Sequence, residues 1–333
     1  MVFEIRAELM VFGLIAAVIA AATVFVTVPS VVSSSLSNLG PAPELAGISG
    51  WLNSEPLNIS GLRGRVILVD FWTYSCINCI RTLPYLKSWH EKYPELVIIG
   101  VHTPEFEFEK DYNNVKSAAE KYGLEYAIAQ DNDYETWKAF GNRFWPRKYL
   151  VDREGNIRYD HIGEGAYEET EKAIQELMGT SVEMANISSD VSFSEIGTPE
   201  LYLGYQFARA PLGNAEGFQP GNVVNYRLAN VTQANIIYLL GPWKNEPDRM
   251  VSQGQSRLFL AYKAKDVNIV AGGNAEISVF VNGNPAGGHD IKEGTGMISG
   301  HRMYNIAEGS DYEVNALEIE TGPGFELYTF TFG

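Results

Sequence analysis

The sequence predicts two folded units in succession behind one N-terminal transmembrane helix. The first is an α/β unit, a mixed central sheet with helices on both faces; the second is an all-β, jelly-roll-like sandwich. Three observations carry this. Leu9 to Val28, "LMVFGLIAAVIAAATVFVTV", is a 20-residue run without a charge, long enough to cross a bilayer core as a helix. Strand-like and helix-like segments alternate between about 57 and 178. Past Gly179 helical periodicity stops, and short alternating runs rich in Gly, Asn, Tyr and Phe take over. A chain of 333 residues, 45% hydrophobic and 20% charged, has material for two cores.

The elements follow in order. Residues 1–8 are a cytoplasmic N-terminus and 9–28 the anchor, which is longer than the apolar region of a secretory signal and lacks a basic start. Arg6 precedes the span and no Lys or Arg follows until Arg63, which places the bulk of the chain outside the cytoplasm. Residues 29–48, beginning "PSVVSSSLSNLGPAP", read as a flexible tether. The α/β unit, 49–179, has a buried strand at Arg65 to Trp72, a helix from Ile77 to Tyr93, a strand at 96–101, a helix around 109–122 and a strand in "EYAIAQ". A helix from Asp133 to Phe140, the strands "KYLVD" and "NIRYDHIG", and a last helix from Tyr167 to Met178 complete it. After a second linker, 180–198, the all-β unit spans 199–333. Its strands fall at "IIYLL", "RLFLAYKA", "NIVAG", "AEISVFVNG", "ALEIET" and "FELYTFTF", with a tight turn in "VNGNP".

The charge balance, 25 Lys and Arg against 41 Asp and Glu, leaves a formal net of -16, which repels nucleic acid. Sequons stand at Asn58, Asn186 and Asn230, about the number that chance provides.

The chain has two cysteines, Cys76 and Cys79, in "VDFWTYSCINCIRTLP". A structural zinc site needs four ligands, and neither a second CxxC nor finger-like histidine spacing exists. A staple across two residues closes too short a loop to stabilise much. Redox chemistry explains both spacing and context. A buried strand ends at Trp72, a short polar turn follows, and Cys76 opens a helix, where unpaired N–H groups favour a thiolate; Cys79 waits one turn inside.

"ILVDFWTYSCINC" resembles the thioredoxin superfamily motif, with Asp70 six residues before the first cysteine and Pro84 five after the second. "FWPRKYLVDREGNI" resembles the cis-proline strand, with Pro146 as that proline. "FWTYSCINCIRTLPYL", "GVHTPEF", "WPRKYLVD" and "HIGEGAYEETE" together resemble the periplasmic thioredoxin-like domain of DipZ-type proteins, relatives of the TlpA family, which often carry a C-terminal carbohydrate-binding-like sandwich. Ser75 replaces the tryptophan that thioredoxins have before the first cysteine, and Thr82 stands where TlpA-like proteins commonly carry an acid. DipZ-type proteins usually add a multi-span electron-carrying module. With one candidate span here, the expected electron partner is another membrane molecule of the thiol-disulfide type.

The resemblance implies a thiol-disulfide oxidoreductase whose only redox group is the Cys76–Cys79 disulfide, with no separate cofactor and no metal. Cys76 attacks, Cys79 resolves, and Asp70 takes the proton of Cys79. Trp145 and Pro146 form a client-binding edge with a cis peptide between them, and Ile77 and Asn78 tune the pair. The expected clients are proteins with thiols or disulfides, and the relatives favour reduction. His102 and His161 read as loop-ordering residues beside the sheet's C-terminal edge. Trp243, Tyr202, Tyr205 and Tyr328 are candidate carbohydrate-stacking aromatics. Two rival readings use the same residues: a surface binding protein acting through the sandwich, and a copper-handling protein using both sulfurs with His102.

Overall fold

The computed structural model describes residues 35–187, 192, 194–227 and 233–333. The N-terminus 1–8, the span 9–28, the start of the tether and the Asn230 sequon lie outside the described residues. Among those described, no helix is long and apolar enough to cross a membrane.

The first sheet comprises β1 (Gly50–Leu52), β2 (Val66–Trp72), β3 (Leu96–His102), β4 (Ala127–Gln130), β5 (Arg147–Val151) and β6 (Ile157–Ile162), in the order β1-β4-β3-β2-β5-β6. β2, β3 and β4 are parallel, while β1, β5 and β6 run antiparallel to their neighbours. The helices are α1 (Ile77–Lys92), α2 (Tyr112–Tyr122), α3 (Glu135–Ala139) and α4 (Tyr167–Met178). Every residue of β2 is buried, because both faces of the sheet are covered. Leu68 and Trp72 join a core with Leu86 and Trp89 of α1, Val115 of α2 and Ile174 of α4. Val69 and Phe71 meet Trp137 of α3, Phe140 and Tyr149 on the other face. The expected helices on both faces are present, and α4 has the expected bounds. β1 was not anticipated, since three residues give too little alternation to read.

The tether expectation changes from Leu39 onward. Leu39 N–H donates to Ile157 O at 2.8 Å and Ala42 N–H to Gly155 O at 2.9 Å, and the Glu44 carboxylate accepts from the N–H groups of Ile59 and Ser60. A Ser- and Pro-rich segment reads as free coil, but here its backbone pairs with the turn between β5 and β6. Part of the second linker docks in the same way: Glu171 accepts from Ala185 N–H, and Tyr85 OH donates to Ile187 O.

The all-β unit comprises β7 (Leu201–Tyr202), β8 (Val223–Tyr226), β9 (Ile237–Asn245), β10 (Met250–Ser252), β11 (Ser256–Lys263), β12 (Asp266–Val281), β13 (Asn284–Pro285), β14 (Thr295–Ser299), β15 (Arg302–Glu308), β16 (Val314–Thr321) and β17 (Phe325–Phe332). The jelly-roll-like sandwich of separate sheets is revised: β12, β16, β11, β9, β10 and β17 pair in a circuit that returns to β12. "NIVAG" and "AEISVFVNG", read as two strands, are the single 16-residue β12. It pairs with β15 and β17 in its first half and with β14 and β16 in its second. The corner lies at Gly273, where φ is +87° and a Cβ would stand 2.0 Å from Gly324 O. Only glycine lets the backbone cross there. The "VNGNP" turn joins Val281 to Asn284 through Asn282 and Gly283, both with positive φ, a two-residue hairpin loop.

The two units share an aromatic contact. Phe106 and Phe108, from the loop after β3, pack among Tyr202, Phe207, Met303 and Tyr328 of the all-β unit. The guanidinium of Arg81 on α1 donates to Phe332 O at 3.2 Å.

Candidate active site

β2 delivers the site. At its end the chain turns through Thr73, Tyr74 and Ser75, all buried, and Cys76 caps α1: the Cys79 N–H donates to Cys76 Sγ at 3.2 Å. Both cysteines are free thiols; Cys76 is partly exposed and Cys79 buried. The sequence leads to expect an acidified Cys76, but burial pushes its thiol up. Hydrogen bonds from Cys79 oppose the rise, and the Glu200 and Glu105 carboxylates add to it. Burial and the bond to Cys76 raise the Cys79 thiol further. The helix start is present, but burial and acidic neighbours outweigh it.

Asp70 lies beneath, 1% exposed, and one of its oxygens has no hydrogen-bond partner among the described residues. Burial raises it to about 7, against the pull of Lys148. Lys148 is the residue that sequence reading missed. It sits opposite Asp70 on β5, wholly buried, with Nζ donating to Gly163 O at 3.4 Å. Burial lowers its pKa, while Asp70 and Cys79 oppose the shift. The available signal was a lysine on the inward-facing side of "RKYLV", which reads on its own as a strand-edge charge.

The Trp145–Pro146 peptide is cis. Pro146 is buried, and the Trp145 indole N–H donates to Thr103 O at 3.1 Å. Ile77 and Asn78 are half-buried and line a cavity of about 410 Å³ together with Arg81, Glu164, Glu200 and Phe332. Ser75, in the place of the usual tryptophan, donates to the buried Glu109 carboxylate, which also accepts from the N–H groups of Glu105 and Phe106. Thr82, in the place of the usual acid, bonds back to Asn78 O at 3.0 Å.

His102 is fully buried and stacks on Tyr74. Its Nε2 lies 3.3 Å from Thr73 Oγ1, and burial lowers it to about 3, so it orders the turn as a neutral ring. His161 Nε2 lies 3.2 Å from Glu164 O. Among the described residues, no three His, Cys, Asp or Glu side chains are grouped to hold a metal. The sugar-stacking set is corrected: Trp243 is core, its ring 6.3 Å from Phe325. Tyr202 and Tyr328 are buried against Phe106, and Tyr205 alone is partly exposed.

The Redoxin family model matches residues 41–177 and the family described as "Thioredoxin like C-terminal domain" matches 198–333. Residues 41–177 are thus similar to the Redoxin family and residues 198–333 to the thioredoxin-like C-terminal domain family. The chain is 36% identical over 315 residues to Protein DipZ of Mycobacterium bovis and of Mycobacterium tuberculosis, covering 90% of this chain and 44% of DipZ. It thus spans less than half the length of those relatives. The thiol-disulfide oxidoreductase YkuV of Bacillus subtilis is 29% identical over 139 residues, 41% of this chain and 94% of YkuV. A solved thiol-disulfide isomerase from Corynebacterium glutamicum is 23% identical, covering 41% of this chain and 96% of its own, with a TM-score of 0.37. The Redoxin-like domain is followed by an all-β domain that matches a family model of its own.

Proposed function

We propose that the protein is a membrane-anchored, extracytoplasmic thiol-disulfide oxidoreductase that reduces disulfides in client proteins. The carrying observation is Cys76 at the N-cap of α1, its sulfur 3.2 Å from the Cys79 N–H. The Cys76 thiolate attacks a client sulfur; the client S–S bond breaks, a Cys76–client disulfide forms, and the departing client thiolate takes a proton. Cys79, losing its proton to Asp70, attacks Cys76 Sγ. The second client sulfur leaves, so the client gains two electrons and the pair becomes a disulfide. Asp70, raised to about 7, is matched to that proton transfer near neutrality.

Reduction is favoured over oxidation by the surroundings of Cys76. A pair becomes more oxidising as its reduced thiolate is stabilised, and here burial, Glu200 and Glu105 all disfavour the thiolate. Trp145 and the cis Pro146 form the edge that receives the client chain, and Ile77 and Asn78 shape the mouth beside it. The apolar run 9–28 supports anchoring, and a membrane thiol-disulfide protein returns electrons to the pair. A redox titration of the purified protein, counting free thiols by mass labelling, tests the reading. A potential near about -270 mV is expected; one near about -120 mV would reverse the direction, and cysteines that never pair would end the proposal.

A further inference from the structure

Cys76 opens into a cavity of about 190 Å³ that belongs to both domains. The oxidoreductase domain contributes Ser75, Asn78, Glu105 and the loop Arg143–Trp145. The facing wall is the all-β domain's Glu200, Tyr202, Arg209, Thr329 and Thr331. The pairing of β7 with β17 explains this wall. Tyr202 lies opposite Thr329, so residues two apart on each strand share a face. On β17, Phe330 and Phe332 enter the all-β core, while Thr329 and Thr331 turn toward Cys76.

The wall is built and incompletely satisfied. Tyr202 OH donates to Glu105 across the domain boundary at 2.7 Å and lies 3.3 Å from Glu200. Thr329 Oγ1 donates to Leu201 O at 3.2 Å. Thr331 is only 2% exposed, yet its hydroxyl has no hydrogen-bond partner among the described residues. A buried hydroxyl without a partner is costly, on the order of 1–3 kcal/mol, and Thr331 is one of the residues lining the space in front of the reactive sulfur. The volume is below the roughly 300 Å³ at which pockets for drug-sized ligands begin, and it suits one residue of an extended chain.

Resting on the disulfide-exchange reading above, we infer that Thr331 of the all-β domain is a specificity-determining residue of the client site, its hydroxyl hydrogen-bonding the backbone of an extended polypeptide segment beside the cysteine that joins Cys76. The all-β domain is thus half of the substrate site, and the clients are polypeptides with a disulfide on an extended segment.

The test uses pre-reduced full-length protein in single turnover. The rate constant for a cysteinyl peptide in mixed disulfide with thionitrobenzoate is divided by that for dithiobis(nitrobenzoate), a disulfide with no peptide backbone. Thr331→Val is expected to lower this ratio about 3- to 10-fold, the loss of one hydrogen bond, and Thr331→Ser to restore it. An unchanged ratio in Thr331→Val overturns the assignment. A second readout needs no change at 331: in Cys79→Ser, the peptide trapped on Cys76 shifts the Thr331 methyl resonance, and trapped thionitrobenzoate shifts it less. Equal shifts from the two adducts overturn the proposal. Wild-type protein that exchanges with neither disulfide would instead remove the exchange reading itself.

Discussion

Asp70 and Lys148 face each other across neighbouring antiparallel strands, both sealed from solvent on the sheet face that α1 covers. No ion pair between them shorter than 4.0 Å forms, and burial works on both: it raises the carboxyl to about 7 and lowers the amine. Burial thus works against the charged form of each group, the cost of taking two charges into a dry core.

Asp70→Asn removes the proposed acceptor of the Cys79 proton. The expected outcome is a normal first attack by Cys76 and a resolving step slowed on the order of 10²-fold. Mass spectrometry of quenched reactions checks this: the mixed disulfide accumulates in the variant and not in the wild type.

The same substitution has a signed effect on stability. With a folded pKa of about 7 against 3.8 unfolded, the native state holds a proton that the unfolded chain has lost between those values. Stability contributed by Asp70 therefore falls as pH rises through that window, by up to about 4 kcal/mol above pH 7. Asp70→Asn is expected to raise the melting temperature at pH 8 and to change it little at pH 4. A gain of equal size at both pH values would contradict the assignment.

Lys148→Met deletes the cationic influence that holds Asp70 down. Asp70 then titrates at higher pH, and the pH profile of the resolving step moves to the alkaline side. Single-turnover rates across pH 5–9 read this directly. An acid shift would mean that Lys148 acts on the sulfurs and not through Asp70.

How much of this was legible in the sequence depends on the range of the interaction. α4 was legible with its bounds, since the periodicity of Tyr167–Met178 and the following Gly179 are local signals. The closeness of Cys76, Cys79 and Asp70 was legible because they share one strand–turn–helix stretch. Lys148 was not: its meaning comes from β5 pairing with β2, which local pattern does not encode. The placement of Glu200, Tyr202 and Thr331 in front of Cys76 was further from reach, because it needs two domains to dock. The strand at β12 misled for a related reason. Gly272 and Gly273 read as a break, and in the structure they are a corner within one strand.

Glu200→Gln removes the larger of the two carboxylate influences that raise Cys76, and Glu105→Gln the smaller. Glu105 is itself raised to about 8, by burial and then by Glu109, so it is ionised where Cys76 titrates. Each substitution is expected to move the pH dependence of Cys76 alkylation by iodoacetamide toward acid and the potential toward more oxidising values. The two readouts must move together, because thiolate stabilisation drives both.

Gly100 marks a tightly packed point in the core of the first domain. It lies beside Asp70 in the parallel pairing of β3 with β2, and a Cβ there would stand 3.0 Å from Trp72 Nε1 and 3.1 Å from the Tyr126 ring. Both neighbours are fully buried large rings, so neither has space to withdraw. Gly100→Ala is therefore expected to cost about 1–3 kcal/mol, read as a lower denaturation midpoint at unchanged slope. Because the displaced rings belong to the pocket around Asp70, the variant should also disturb the resolving step more than the first attack. A loss confined to stability would show that the rings around Asp70 tolerate movement without consequence for proton transfer.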